Sequence, residues 1–167
     1  MKLFLYSKTV LSIILFILIS STGFSQQELW GMSSDGGDFN SGVIFKTDLD
    51  GTNQSVEHSF TRNVGITPLY MELCEASNGK MYGTTRTGGT ASDGVLFEYD
   101  PVTEIYTKKV DFINNVNGEH PEAGLIQASN GKLYGMTSSG GANNLGTFYE
   151  YDISTELLTV LLDFDGA

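Results

Sequence analysis

The chain has 167 residues, of which 40% are hydrophobic and 11% aromatic, and its formal net charge is -11. This composition indicates one globular region and excludes a disordered chain, which would be poor in aromatic residues. Because a strongly acidic surface repels phosphate groups, we expect no nucleic-acid partner and no anionic membrane surface.

The first 25 residues have the order of a secretory signal peptide. Lys2 and Lys8 precede an apolar stretch from Val10 to Ile19, and small residues follow as far as Ser25. About ten apolar residues are too few to cross a bilayer, which takes roughly 20. We therefore predict a secreted protein, extracellular or at the cell surface, whose mature chain starts at Gln26 and has no membrane insertion. N-terminal sequencing of exported protein checks this, and retention of residues 1–25 would contradict it.

The rest of the chain is a tandem repeat with a period of 52 residues. Trp30-Gly31 recurs as Tyr82-Gly83 and as Tyr134-Gly135, and each unit continues with a double glycine and then a single one. Residues 73–100 match residues 125–152 at 15 of 28 positions, where chance would give about two. The units are assigned as repeat 1 (26–80), repeat 2 (81–132) and an incomplete repeat 3 (133–167).

Four strand-like runs appear in each unit, separated by turn residues. The first follows an Asn-Gly turn, which favours a tight hairpin, and an Asp-led turn joins the second to the third. In the two best-matched units the predicted strands cover 132–137, 94–100 and 146–152, 105–112 and 157–164, and 71–76 and 123–128. No stretch has sustained helical periodicity, so helices should be negligible.

These runs predict an all-β fold, namely a partial β-propeller of about three four-stranded antiparallel blades. A β-helix is the rival repeat architecture, but its coils are usually shorter than 52 residues. The shared core predicts burial of the recurring aromatic residues Tyr82, Phe97, Phe112, Tyr134, Tyr149 and Phe164. Cys74, the single cysteine, is predicted to be a small buried hydrophobe.

The sequence Asn-Gly-Lys-Leu-Tyr-Gly-Met-Thr-Ser-Ser-Gly-Gly at residues 130–141 is followed by Gly146 and the aromatic run 148–152. This pattern resembles the Gloeo/Verruco (GloVer) tandem repeat, and residues 78–100 carry it almost as well. The resemblance covers nearly all of residues 28–167. It implies a bacterial extracellular protein with a kelch-like propeller and no assigned activity.

Candidate binding residues lie in and beside the loops between the double glycine and the following glycine, because propellers usually bind through loops on one face. They are Ser34, Asp35, Asp38, Arg86, Asp93, Ser138, Asn143 and Asn144. These loops differ between units while the strands stay constant, as binding loops do. The same variation is equally expected of unconstrained surface.

No catalytic residue, metal or cofactor is predicted. His58 and His120 stand at different places in their repeats, and neither a zinc-ligand cluster nor a nucleophile motif occurs. The segment from Asp48 to Asn53 offers oxygen atoms at alternating positions, as calcium loops do. It lacks the later bidentate acid, so an Asp-Gly hairpin explains it better.

Two functions remain open from the sequence. The preferred one is a secreted, non-catalytic repeat module that binds a glycan or a protein through one propeller face. The alternative is a carbohydrate-active propeller enzyme, a lyase or hydrolase, whose catalytic blades are missing from this chain. Closed propellers have about 4 to 8 blades, so we expect residues 26–167 to need further repeats of a longer chain or self-association.

Overall fold

The computed structural model of the protein describes residues 28–69 and 71–167. The predicted signal peptide, residues 1–25, lies outside this described part. Within it the protein is all-β, as predicted, and its helical element is the single turn α1 (Asn114–Asn117).

The described strands form three antiparallel sheets, which follow one another along the chain. Sheet 1 contains β1 (Glu28–Ser33), β2 (Val43–Asp48) and β3 (Ser55–Ser59). Sheet 2 contains β4 (Cys74–Glu75), β5 (Met81–Thr85), β6 (Val95–Asp100) and β7 (Ile105–Asp111). Sheet 3 contains β8 (Glu119–Pro121), β9 (Ile126–Gln127), β10 (Leu133–Ser139), β11 (Thr147–Asp152) and β12 (Leu157–Asp163). In the described residues only sheet 2 therefore has four strands.

The central hairpin of each sheet is built in the same way. A glycine of the first long strand stands opposite an aromatic residue of the second, as in the pairs Gly31–Phe45, Gly83–Phe97 and Gly135–Tyr149. At Gly83 an added Cβ would lie 2.6 Å from the tip of the Phe97 ring. Because Gly83 has no side chain, the Phe97 ring can lie over it and against the face of its own sheet.

The fourth strand of each unit is much shorter than the sequence pattern predicts. The runs 71–76 and 123–128 contain only the two-residue strands β4 and β9. Met71 leaves the sheet, and its sulfur accepts a hydrogen bond from the Thr84 hydroxyl at 2.8 Å. Along β10 the same edge is shared between β9 and β8, which pairs Pro121 with Thr137. The strand prediction was wrong here because apolar alternation does not show where a chain leaves a sheet edge.

Two apolar clusters join the sheets face to face. Between sheets 1 and 2, Ile44 and Phe60 pack on Met81, Phe97 and Tyr99. Between sheets 2 and 3, a cluster of the same kind contains Ala76, Tyr82, Leu96, Phe112, Leu125, Leu133, Tyr149 and Tyr151. Cys74 is half-buried against this second cluster, and burial raises the pKa of its thiol. It is thus a small packing residue, though less buried than the sequence predicts.

Burial of the recurring aromatic residues follows these two clusters. Tyr82, Phe97, Phe112 and Tyr149 have no exposed surface. Tyr134 and Phe164 are only half-buried, although they occupy the same repeat positions. Both belong to sheet 3 or directly follow it, and no described sheet covers the outer face of sheet 3. The repeat predicts that both are buried, but in the described residues such a ring is buried only where a following sheet packs against it.

A row of charged side chains crosses the first two sheets with opposite signs. In sheet 2, Glu98 lies between Lys80 at 2.8 Å and Lys109 at 3.7 Å. In sheet 1 the three corresponding residues are Glu28, Lys46 and Glu57, with separations of 3.4 and 3.8 Å. In each row the middle residue has a charge opposite to that of its two neighbours. The ion pairs within each row therefore neutralise part of its charge.

Glu98 is expected to make stability depend on pH. Burial alone would raise the pKa of its carboxyl, but hydrogen bonds from Lys80 and Tyr82 and the charge of Lys109 hold the pKa below its ordinary value of 4.5. A lowered folded-state pKa stabilises the fold above pH 4.5 and ceases to do so as the pH falls through the folded value. We expect Glu98→Gln to lower the urea midpoint at pH 7 and to have a shrinking effect below pH 4.5.

The matched control is Glu104→Gln, which changes an exposed turn residue. Its urea midpoint should stay close to that of the parent chain at pH 7 and at pH 3. An effect of Glu98→Gln that is the same at pH 7 and pH 3 would contradict the assignment.

No helix in the described residues is long and apolar enough to cross a membrane.

Candidate functional site

The three variable loops share one backbone design and lie at the same end of their sheets. Each begins after the first long strand, and the single glycine donates its amide to the first residue of the double glycine at 3.3, 3.1 and 3.0 Å in the order of the chain. A side chain from the end of the third strand then fixes the loop. Asp111 accepts the Thr90 amide at 2.9 Å and Asp163 accepts the Ala142 amide at 2.8 Å.

Ser34, Arg86 and Ser138 occupy one repeat position at the start of these loops, but they have different partners. The Arg86 guanidinium donates to the Glu122 carboxylate at 2.5 Å. The hydroxyl of Ser138 donates to the His120 carbonyl at 3.0 Å. The hydroxyl of Ser34 donates to the carboxylate of its neighbour Asp35 at 3.0 Å. Of these three side chains, only Arg86 therefore links two sheets, because Ser138 and His120 both belong to sheet 3.

The other candidates largely hold the loops in place. Asp93 accepts the Asn114 amide at 3.0 Å, and Asn143 donates to the Phe164 carbonyl at 3.1 Å. Asn144 accepts the Gly140 amide within its own loop at 3.3 Å. Asp38 is exposed, and its contact is made by its backbone amide. These eight predicted residues do not converge on one site in the structure.

A cleft of about 580 Å³ opens between sheets 1 and 2 beside Ser34. We call it the inter-sheet cleft, and it is lined by Met32, Ser33, Ser34, Pro68, Leu69, Met71 and Glu72. Four of its lining residues are apolar, while the serine hydroxyls and the Glu72 carboxylate supply polar groups. Of the predicted site residues, only Ser34 lines it.

The matching place between sheets 2 and 3 holds an ion pair. There Arg86 stands where Ser34 stands in sheet 1, and its partner Glu122 stands where Leu69 does, because Pro121 and Pro68 occupy the same place against Gly94 and Gly42. Leu69 and Glu72 were not predicted from the sequence, since they lie outside the variable loops. The available signal was the contrast between serine and arginine at one repeat position.

Neither histidine takes part in the cleft. His58 stacks on Tyr106 with ring centroids 4.1 Å apart, and burial lowers the pKa of its imidazole. Nδ1 of His120 lies 3.3 Å from the Ser139 hydroxyl within sheet 3.

The Asp48–Asn53 segment forms a hairpin turn whose oxygen atoms are used internally. The Gly51 amide donates to the Asp48 carbonyl at 2.9 Å, and Asp50 accepts both the amide and the hydroxyl of Thr52. This confirms the hairpin interpretation of the segment. Across residues 28–69 and 71–167 there is no group of three or more acidic, histidine or cysteine side chains that could hold a metal ion.

Two solved structures resemble parts of the described fold. TolB from Acinetobacter baumannii matches with 14% identity and a TM-score of 0.50, over 81% of this chain and 34% of TolB. A puromycin-hydrolyzing peptidase from Mycobacterium tuberculosis matches with 17% identity and a TM-score of 0.49, over 82% of this chain and 19% of the peptidase. The chain thus spans well under half of either protein, and at such identities the likeness to TolB concerns the fold alone.

Sequence comparison gives a more specific result. A search of curated proteins finds no match. A family model described as the Gloeobacter/Verrucomicrobia repeat matches residues 19–167, which is most of the chain. The match includes the three glycine-aromatic hairpins and the three loops described above. The chain therefore belongs to the Gloeobacter/Verrucomicrobia repeat family.

Proposed function

We propose that the protein is a secreted, non-catalytic binding module, and that its three sheets are blades of a partial, kelch-like β-propeller. The face-to-face stacking of sheets in chain order supports the propeller assignment. So does the place of β4 and β9, short strands from the end of one unit that join the sheet of the next. Binding would take place at the inter-sheet cleft, on the loop side of the sheets.

The observation that carries this proposal is the contrast between the two equivalent places. An Arg86–Glu122 ion pair fills one of them, whereas Ser34 and Leu69 leave an open cleft in the other. A volume of about 580 Å³ falls in the range of small-ligand sites. The change of residues at one repeat position thus converts a closed junction into an open one.

A short glycan segment fits the chemistry of the cleft best. Sugar rings present C–H faces to apolar side chains and hydroxyl groups to polar ones, and the cleft offers apolar side chains together with serine hydroxyls and one carboxylate. The net charge of -11 disfavours polyanionic glycans. We therefore expect a neutral or amine-bearing oligosaccharide, and a protein loop is the other ligand class that the experiment distinguishes.

The cleft lining supports binding rather than hydrolysis. Glycoside hydrolases generally use two carboxyl groups that flank the scissile bond. Glu72 is the only carboxylate that lines the inter-sheet cleft among the described residues. Glu98 and Asp111, in the described part of the chain, have lowered pKa values. A general acid needs a raised pKa instead.

The test is to close the cleft by copying its filled counterpart. In the double variant Ser34→Arg/Leu69→Glu, the new pair should occupy the cleft as Arg86 and Glu122 occupy theirs. We expect at least a tenfold loss of affinity, about 1.4 kcal/mol, for the oligosaccharide that an array of neutral, amine-bearing and acidic glycans selects, measured by calorimetry.

The matched control is Ser129→Arg, an exposed serine in the turn at the opposite end of β10. It adds a positive charge without entering the cleft and should leave the affinity unchanged. Full binding by the double variant would contradict the site, and an array without any bound glycan would contradict the ligand class.

A further inference from the structure

A second cavity, of about 480 Å³, lies on the outer face of sheet 1. Its wall includes Ser33, Gly36, Val43, Phe45 and Val56. Val56 is 58% exposed there, although it belongs to a strand. We call this cavity the sheet 1 pocket. It is distinct from the inter-sheet cleft, which lies between sheets 1 and 2.

The repeat shows what normally fills such a pocket. In sheet 2 the residues that correspond to Val43 and Phe45 are Val95 and Phe97, and Phe60 packs on Phe97 with ring centroids 5.5 Å apart. In sheet 3, Phe112 packs in the same way on Tyr149 at 5.2 Å. Each filling ring comes from the residue that follows the last strand of the preceding sheet.

The chain segment after the filling ring also enters the junction. A Cβ added at Gly88 would meet the backbone of Gly65 and Ile66, and one added at Gly140 would meet the backbone of Gly118 and Glu119. At Gly36, the corresponding residue of sheet 1, an added Cβ would meet nothing within 4 Å. The sheet 1 pocket is thus the one junction of this kind that no described residue fills.

Phe164 is the matching ring that has no pocket. Its amide donates to the Gly146 carbonyl at 3.0 Å, just as Phe60 and Phe112 donate to Gly42 and Gly94 at 2.9 Å. Phe60 and Phe112 are fully buried, whereas Phe164 is half-buried. Beside it, the outer face of sheet 3 exposes Met136 and Leu162, which occupy the repeat positions of the buried or half-buried Thr84 and Val110.

We propose that the sheet 1 pocket receives Phe164 of a second copy of this chain, so that two copies associate head to tail. Two copies of the three described sheets would give six, which lies within the range of about 4 to 8 sheets for closed propellers. The contact would cover the two apolar faces that the described residues leave open. This inference does not depend on the ligand of the inter-sheet cleft.

The proposed contact would not need the ion pair that joins sheets 2 and 3. There Lys109 pairs with Glu156 of the next sheet at 2.6 Å. At the proposed contact the corresponding residues are Leu161 and, on the second copy, Thr52. Both members of the pair are replaced by uncharged residues, so the contact would leave neither a lysine nor a glutamate without its partner.

Light scattering of the purified chain at micromolar concentration should give twice the monomer mass. Phe164→Ala should weaken the association at least about 30-fold, as expected for loss of an aromatic anchor. Val56→Glu should do the same by placing a charge in the pocket. The matched controls Phe39→Ala and Val102→Glu change side chains that are 61% and 88% exposed and lie outside the pocket, and they should have no effect.

Mixing the two disrupting variants gives the decisive measurement. The Phe164→Ala chain keeps its pocket and the Val56→Glu chain keeps its ring, so the mixture can form one intact contact and should contain more dimer than either variant alone. This recovery also shows that both variants are folded. A monomer at all concentrations, association that neither variant weakens, or a mixture without recovery would each overturn the proposal.

Discussion

Replacement of Phe97 by alanine is expected to lower the free energy of unfolding by about 3–5 kcal/mol. The Phe97 ring is fully buried between two sheets, where it lies against Gly83 and packs on Phe60 and Tyr106 with centroid distances of 5.5 and 5.0 Å. Its removal would leave a cavity that the strands cannot close, because the backbone pair Gly83–Phe97 is fixed by the sheet. Chemical unfolding followed by far-UV circular dichroism measures this loss.

The matched control for this prediction is Phe39→Ala. Phe39 is 61% exposed in the first variable loop, so the same change of side chain should cost less than about 0.5 kcal/mol. A loss below about 1 kcal/mol at Phe97 would show that the two sheets do not pack as described.

Gly94→Ala is the second substitution for which we expect a large effect, a loss of about 2–5 kcal/mol from backbone strain and overpacking together. Gly94 has a φ of +107°, which residues with a side chain rarely adopt. An added Cβ would also collide with the Thr85 carbonyl oxygen and with the ring of Pro121. Thr85 belongs to β5 of sheet 2 and Pro121 to β8 of sheet 3, so neither can move without breaking strand pairing.

Gly79→Ala separates the two causes. Gly79 also has a positive φ, of +76°, but an added Cβ there would meet nothing within 4 Å. This variant should show the conformational cost alone, of about 1 kcal/mol. Equal losses at Gly79 and Gly94 in the same unfolding experiment would contradict the close approach of the chain at Gly94.

The strands could be predicted because each unit repeats the same local chemistry. Asn78-Gly79 and the turn after Asp100 both reverse the chain as expected, and the predicted run 105–112 differs from β7 by one residue. Alternating apolar residues define the faces that pack, and identical positions in three units remove the ambiguity of a single short run. Such signals are local, so strands and turns can be predicted from them without knowing which sheet packs next to them.

The candidate site could not be predicted because it depends on a contact between distant segments. Ser34 and Leu69 form the cleft, whereas Arg86 and Glu122 close its counterpart. Leu69 and Glu122 are 53 residues apart instead of 52, because the segment between β7 and Pro121 is one residue longer than the segment between β3 and Pro68. An alignment with a fixed period therefore does not bring these two positions together. The loops were chosen as candidates because their sequences vary between units, but several of their side chains form hydrogen bonds that hold the loops in place.

The opposite charge rows of sheets 1 and 2 bear on how the chain avoids misassembly while it folds. Tandem units with similar strands can exchange them, which is a common failure of repeat proteins. If a strand of sheet 1 replaced its counterpart in sheet 2, Glu28 would face Glu98, or Lys46 would face Lys80, and such like-charge pairs are destabilising. Sheet 3 gives no such protection against sheet 2, because Lys132 and Glu150 repeat the signs of Lys80 and Glu98. Strand exchange during refolding should therefore be concentrated between the second and third units.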